Sequence, residues 1–367
     1  MIRLLCLVSA MNAGGAETFL MKIYRRLDRT RFQMDFCVNV QEPGFYDEEI
    51  RSLGGRIHYV PAKTTDFRRY ARQLKRVIAD NGYTHVLRIT ANGLGFLDCA
   101  IAKWAGARHC AVRSSNSADA EGLAAVVAHR LGRLLFARYI DVKIAPSDLA
   151  AKYTFGARAY DRGRVSILHN GLDVDAFAYD KDQRRALRAQ LGIDENTQLL
   201  GHVGRFMKQK NHPFLVEVFS HYHKAQPDSK LLLVGDGEAM DEIRRLVEQK
   251  GLEESVVFAG VRKDVPKLLS AMDVLLLPSF YEGMPNVVVE AQANGLPCVI
   301  SDTITREADV TGLVRYLPIA EGTARWVAEI GAAAQTQRSS TGEILREKGY
   351  DIDSVVRKFE ELCLSAQ

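Results

Sequence analysis

The sequence predicts an α/β protein of two doubly wound domains that face a central cleft. Three observations carry that expectation. The chain has 367 residues, 47% apolar and 26% charged. That suits two globular domains at roughly 150 residues each and excludes a disordered or collagen-like chain. Apolar runs of strand length alternate with helical patterns in both halves, as parallel strands joined by right-handed helical crossovers require. Charge is divided as well. Residues 1–172 carry 26 lysines and arginines against 15 acidic residues, whereas 173–367 carry 23 against 30. Halves of opposite sign point to domains with different partners.

In the first half the strand candidates are 4–8, 36–40, 85–89, 110–113 and 142–145, all short aliphatic runs. Apolar residues recur at helical spacing through 16–27, 67–80, 95–105 and 124–137. The second half repeats the scheme. Strands are expected at 199–203, 230–234, 256–259, 274–277 and 297–301, and helices at 212–225, 239–250, 265–272 and 287–294. The stretch 173–194 is charged and helix-prone without a long apolar run, so the boundary falls between 170 and 198. The expected division is 1–172 and 173–351. A last helix, in the segment 352–367, is free to cross back onto the first domain.

Cys6, Cys37, Cys99, Cys110, Cys298 and Cys363 are scattered, with no C-x-x-C pair. This argues against a zinc site or a disulfide frame and for a reducing, cytoplasmic compartment. No run approaches eighteen consecutive apolar residues. The apolar run 4–8 lacks a signal-peptide cleavage pattern and reads as a first strand.

The strongest local signal is the passage Phe280-Tyr281-Glu282-Gly283-Met284-Pro285-Asn286-Val287-Val288-Val289-Glu290. A strand ends, a loop carries Glu282 and Gly283, and a helix opens near Pro285, where a missing N–H costs nothing. Gly283 permits close backbone approach to a ligand. The N–H groups of Met284, Asn286, Val287 and Val288 span the helix start around Pro285, where they favour an anion. Glu282 and Glu290 could flank one ligand and accept its hydroxyls. Each acid alone reads first as a solvated side chain; the full run of loop Glu, Gly, Pro and helical Glu does not. A second signal is Gly204-Arg205 with Lys210-Asn211 at the edge of the domain's first strand. A guanidinium fork and an ammonium so placed form a clamp for a diphosphate. Gly235-Asp236-Gly237-Glu238 reads as a plain strand–helix turn. Gly14-Gly15 opens a helix after the very first strand and fits close approach to a phosphate or hydroxyl. The G-x-G-x-x-G dinucleotide fingerprint is absent there.

Together these residues resemble the retaining family-four glycosyltransferases of the GT-B fold, with two Rossmann-like domains about a cleft. The likeness spans nearly the whole chain. It rests on Gly14-Gly15, on 167–173 with Asn170, on Gly204-Arg205 with Lys210-Asn211, and on the Glu-x7-Glu pair Glu282 and Glu290. The passage 299–307 is similar to the exopolysaccharide and capsule subgroup. The resemblance implies that Arg205 and Lys210 hold the diphosphate of a nucleotide-sugar, UDP-sugar first. It implies that Glu290 binds the ribose hydroxyls and Glu282 contacts the donor sugar. It implies a glycan or polyprenyl-diphosphate-linked acceptor, no cofactor and no metal. One departure stands out. Where the subgroup carries a histidine motif, this chain reads Arg113-Ser114-Ser115-Asn116. Arg113, Asn116 and Asn170 are therefore candidate donor or acceptor contacts.

The basic first half reads as a surface for anionic lipid. Arg68, Arg69, Arg72, Lys75 and Arg76 share one helix, and Arg130, Arg133 and Arg138 sit amid Leu131, Leu134, Leu135 and Phe136. Each segment alone reads first as an ordinary surface helix packed on a sheet; together they make peripheral attachment to the inner face of a membrane a candidate. Nucleic acid is not an expected partner, since the basic segments lack interleaved aromatics. Two rival readings remain open at this stage: a nucleotide-sugar epimerase of the same architecture, and a non-catalytic nucleotide-sugar-binding partner.

Overall fold

The structure, a computed structural model, describes residues 1–12, 14–115 and 123–364. It divides into two units: Met1–Gly171 with Gly349–Gln367, and Leu172–Lys348. Each is a parallel sheet covered by helices on both faces.

The first unit holds β1 (Ile2–Leu7), β2 (Phe32–Val38), β3 (Ile57–Tyr59), β4 (His85–Thr90), β5 (His109–Ser114), β6 (Val142–Ala145) and β7 (Ser166–Ile167). Their order is β3-β2-β1-β4-β5-β6-β7. The second holds β8 (Gln198–Val203), β9 (Ser229–Val234), β10 (Val256–Gly260), β11 (Val274–Leu277), β12 (Cys298–Ser301) and β13 (Val314–Leu317), in the order β10-β9-β8-β11-β12-β13. In both sheets the winding reverses once, between β1 and β4 and between β8 and β11. Loops leaving neighbouring strands diverge there, and ligands of open α/β sheets bind in the resulting crevice.

Burial on both faces explains the unbroken apolar runs. Leu4 and Cys6 of β1 pack with Phe19, Phe36 and Ile144, while Leu5 and Leu7 point the other way, toward Leu74, Ile78 and Val86. The alternation is the strand period of two. In the second unit Leu200 joins Phe219, Leu231 and Leu276, and Leu199 joins Leu232, Leu275 and Leu296. Each fully buried leucine contributes about 1.5–3 kcal/mol.

The C-terminal helix Ile352–Cys363 belongs to the first unit. Ile352, Val355, Val356, Phe359 and Cys363, spaced three and four apart, enter its core. Phe359 meets Phe19 edge-on at 6.3 Å, and His109 Nε2 lies 3.0 Å from the Leu362 carbonyl. The helix is capped by Asp351, whose carboxylate accepts from the Asp353 amide.

Several elements depart from the periodicity. β2 begins at Phe32 rather than 36, because Asp35 is buried inside it. Arg3 donates to both Asp35 oxygens at 2.8 Å, and the Arg56 amide and Tyr83 hydroxyl each add a bond of 2.7 Å. A charge so saturated can sit in a strand core. The short edge strands β3, β7 and β13 carry too few residues for a pattern. The helix Lys181–Gln190 lacks a broad apolar face. Arg184 and Arg188 dock it instead, each donating to Asp273 at 2.7 Å. All six cysteines are free and buried. Among the described residues no helix is long and apolar enough to cross a membrane.

Candidate active site

The reversal between β8 and β11 brings the two strongest sequence signals together. The β8 loop carries Gly204, Arg205 and Lys210, and the β11 loop carries Ser279 to Pro285. The Phe280 amide donates to the Gln209 carbonyl at 2.9 Å, and Gln209 Nε2 donates to the Tyr281 carbonyl at 2.8 Å. Beside these, Lys210 Nζ donates to Glu282 Oε1 at 2.7 Å. The two side chains are only 16% and 10% exposed. An ion pair so sheltered is screened little by solvent salt.

The β9 turn supports the β8 loop from behind. The Gly204 amide donates to the Val234 carbonyl and the Phe206 amide to the Asp236 carbonyl, both at 2.9 Å. Gly235, at φ 140°, lies against the Gly204 carbonyl where a side chain would collide. The expected plain turn thus has a second role, as the backing of the site loop. Gly204 itself is tight: a Cβ there would stand 3.0 Å from His202 Nε2 and 3.3 Å from Lys210 Cε.

Sequence reasoning missed the polar floor of this corner. His202 and His212 lie edge to face at 4.7 Å, and His212 stacks on Phe206 at 4.2 Å. Burial, then the neighbouring His212, pushes His202 well below the usual imidazole range. Burial, with Lys210 nearby, pushes His212 down to about 4. Both rings are neutral at pH 7 and add no charge beside Lys210. His202 Nδ1 is 2.9 Å from the Leu276 carbonyl, which assigns the proton to that nitrogen. His202 Nε2, both His212 nitrogens, Asn211 Nδ2 and Ser279 Oγ are buried without a hydrogen-bond partner. Such a concentration marks a polar site rather than a packed core. Asn211 carried the one legible hint. It sits at φ 55°, in the left-handed region that asparagine tolerates.

The other donor candidates of this unit lie on the same two loops and on the helix that follows the second. Arg205 reaches into solvent, 71% exposed, with Glu238 Oε2 at 4.0 Å. Pro285 is buried at the N-cap of helix Asn286–Ala293, one position earlier than expected. The Val288 amide donates to the Pro285 carbonyl at 3.1 Å, so it is committed internally and leaves the expected anion cradle. Met284 and Val287 lean on the core, while Gly283, Asn286 and Glu290 are half-buried. Ser301 and Thr303 hydroxyls both donate to the Ser279 carbonyl, at 2.5 and 3.1 Å, fixing the loop's root.

In the first unit Gly14 is the N-cap of helix Gly15–Arg26. A cavity of about 350 Å³ opens at the β1/β4 reversal, lined by Ser9, Glu17, Lys63, Arg88, Thr90 and Ser115 among others. Lys63 Nζ and Arg88 Nε both approach Asp98 Oδ2, at 2.5 and 3.0 Å, and Asp98 is fully buried. Arg113 is 2% exposed, its guanidinium lies 3.6 Å from the centre of the Phe19 ring, Nη2 donates to Asn170 Oδ1 at 2.6 Å, and Nε is buried without a hydrogen-bond partner. Burial pushes it down to about 9. Asn170 is half-buried. Asn116 lies outside the described residues.

Two doubly wound parallel sheets, one in each unit, are the architecture of the GT-B fold. Residues 13–176 match the profile described as Glycosyltransferase Family 4, and residues 183–312 that of Glycosyl transferases group 1. Over 359 residues the chain is 36% identical to EpsF of Bacillus subtilis (strain 168), provisionally named a glycosyltransferase, covering 95% of this chain and 93% of that one. Over 145 residues it is 34% identical to the UDP-Gal:alpha-D-GlcNAc-diphosphoundecaprenol alpha-1,3-galactosyltransferase of Escherichia coli, covering 39% and 38%. Anabaena Alr3699/HepE in complex with UDP superposes with a TM-score of 0.78 at 19% identity, over 98% of this chain and 99% of that one. The lipopolysaccharide glycosyltransferase WaaG does so at 0.68 and 18%, over the whole of both chains. The chain belongs to glycosyltransferase family 4.

Proposed function

We propose that this enzyme is a retaining hexosyltransferase that moves a sugar from a UDP-sugar to a glycan or polyprenyl-diphosphate-linked acceptor. The observation that carries the reading is the Lys210–Glu282 pair at the β8/β11 reversal. The names of similar proteins supply the nucleotide and the acceptor class. UDP occupies the Anabaena structure, and a diphosphoundecaprenol acceptor stands in the name of the Escherichia coli galactosyltransferase.

Cleavage of the anomeric C–O bond leaves negative charge on the departing diphosphate and positive character on the sugar. Fixed cations placed where that charge develops lower the barrier. Lysine has three N–H donors. In this reading one binds Glu282, which holds the ammonium in place, and the others face the diphosphate. Arg205, long and exposed, closes on the same phosphates. Glu290 binds the ribose hydroxyls, and the Gly283 to Val287 segment lies along sugar and phosphate. The acceptor hydroxyl attacks from the leaving-group face, and a phosphate oxygen takes its proton. The configuration is thereby retained, and neither a metal nor a separate base is needed. The cavity at the β1/β4 reversal is assigned to the acceptor, with Lys63 and Arg88 toward its anionic part. The enzyme would act in the cytoplasm, attached peripherally to the membrane that holds a lipid-linked acceptor.

Calorimetric titration of UDP-, GDP- and ADP-sugars into wild type and Glu290→Ala tests the donor. UDP-sugars should bind tightest and lose tenfold or more in the variant. Equal binding of all three by both proteins would remove the assignment. The anomeric configuration of the product, read by NMR, tests retention.

A further inference from the structure

The sheet of the second unit ends in an open strand. Among the described residues β10 pairs with β9 alone. The Leu231 amide donates to the Ser255 carbonyl at 2.8 Å, and the Gly235 amide to the Gly260 carbonyl at 2.9 Å. Peptide groups alternate sides along a strand, so those of Val256 and Phe258 face away from β9. The Val256 amide is spent on the Leu252 carbonyl at 3.0 Å. Phe258 is therefore the residue that turns both an N–H and a C=O outward. Open edges invite another strand, and proteins blunt them with shortness, charge or proline. The other three edges are blunted so. β3 has three residues, β7 has two, and β13 carries Arg315, which binds Glu329 at 2.8 Å. The run Val256-Val257-Phe258-Ala259-Gly260 holds neither charge nor proline. Its register shifts between Phe258 and Gly260, a bulge that confines outward pairing to the stretch about Phe258.

The two ends of the strand indicate what pairs with it. Glu253 and Glu254, both exposed, precede it. Arg262, held by Asp264 at 2.7 Å, and the exposed Lys263 follow it. An identical strand arriving parallel would set like charge against like. Arriving antiparallel about a two-fold axis at Phe258, it sets Glu254 opposite Arg262 and Glu253 opposite Lys263, once at each end. Opposite charges facing across a strand pair stabilise it, and like charges do the reverse. A two-fold at Val256 instead sets Lys250 opposite Arg262 and meets an amide already spent. At Phe258 the outward N–H and C=O of one copy meet the C=O and N–H of the other. Val261, 77% exposed, then falls opposite Ser255, beside a cavity of about 550 Å³ lined by Arg244, Glu253, Val256 and Phe258 among others.

We propose that β10 pairs antiparallel with β10 of a second copy of this chain, about a two-fold axis at Phe258, with Glu253 and Glu254 of each copy against Lys263 and Arg262 of the other. The two six-stranded sheets then run on as one. A contact of this kind uses the same patch on both copies and closes at two. It does not depend on the transferase reading.

Sedimentation velocity of the full chain from about 1 to about 100 μM tests the proposal. Wild type should pass from monomer to dimer as concentration rises, and less readily as salt rises from about 0.1 to about 1 M. E253K/E254K makes both ends of the strand basic, and R262Q/K263E makes both acidic. Each variant alone should weaken the dimer about a hundredfold or more. An equimolar mixture of the two should restore it, because basic ends then face acidic ends. These positions are at the surface, so each variant should melt within about 2 °C of wild type. Hydrogen exchange on wild type gives a reading that needs no substitution: the Phe258 amide should gain protection as the dimer forms. A wild type that stays monomeric to about 100 μM overturns the proposal and leaves the edge to a different occupant. So does a dimer that neither charge variant weakens, or one that forms without slowing exchange at Phe258. Variants that are both monomeric and stay so when mixed overturn the antiparallel pairing.

Discussion

Replacing Lys210 by alanine separates catalysis from architecture. The ammonium sits 2.7 Å from Glu282 Oε1, with both side chains mostly sheltered. If it stabilises the departing diphosphate, its loss costs about 2.7–4 kcal/mol of barrier, or a hundred- to thousandfold in turnover. A structural cost comes as well. Removing one partner of a fully buried pair costs about 3–5 kcal/mol, and the residual exposure here reduces that to about 1–3 kcal/mol. At about 2–4 °C per kcal/mol, the unit should melt about 2–12 °C lower. Adding Glu282→Ala removes the orphaned carboxylate. The double variant should recover much of the lost melting temperature and none of the turnover. Initial rates at saturating donor, with differential scanning calorimetry on the same preparations, read both quantities. A folded Lys210→Ala enzyme within threefold of wild-type turnover would refute the clamp.

Arg205→Ala should lower turnover at least tenfold with a melting shift under about 1 °C, because its exposed side chain carries little stability; paired rate and melting measurements check both. Gly204→Ala should press on His202 and the Lys210 stem, cutting turnover while UDP affinity changes less, which steady-state kinetics and calorimetry resolve. His212 titrates near 4 when folded and 6.5 when unfolded. The unfolded chain therefore binds the extra proton between those values, and stability falls as pH drops through that window, by up to about 1.4 kcal/mol per pH unit. Denaturant melts from pH 7 to 4 should show this slope added to that of His202, and His212→Phe should reduce the total without abolishing it. Arg113→Met should leave donor binding intact and alter stability alone, since the guanidinium is internal; wild-type melting with lost UDP binding would make it a contact.

The strands that form the centre of each sheet were legible because both their faces are buried, so their apolar runs are continuous. β11 occupies 274–277 as its run predicts. β2 was legible only in its second half, since the Asp35 that interrupts its pattern is neutralised by Arg3, far away in sequence. The Glu282 loop stood out because its residues are contiguous, and Lys210 because it follows a glycine–arginine strand end. Their meeting could be expected only from the order of the strands. The floor of His202, His212 and Ser279 was not legible at all. Each reads as an ordinary interior residue until the neighbouring loop shows that its polar atoms lack partners. Nothing in a strand-end arginine announces the Phe19 ring against which Arg113 lies.

The helix Ile352–Cys363 completes a core whose other members all precede Gly171. During synthesis the ribosome must therefore finish residues 172–348 before the earlier half can seal. Until then Phe19 and Ile23 have an unclosed flank. The later unit, contiguous in sequence, can mature first although it is made second. Removing residues 352–364 would thus damage the part of the protein translated earliest.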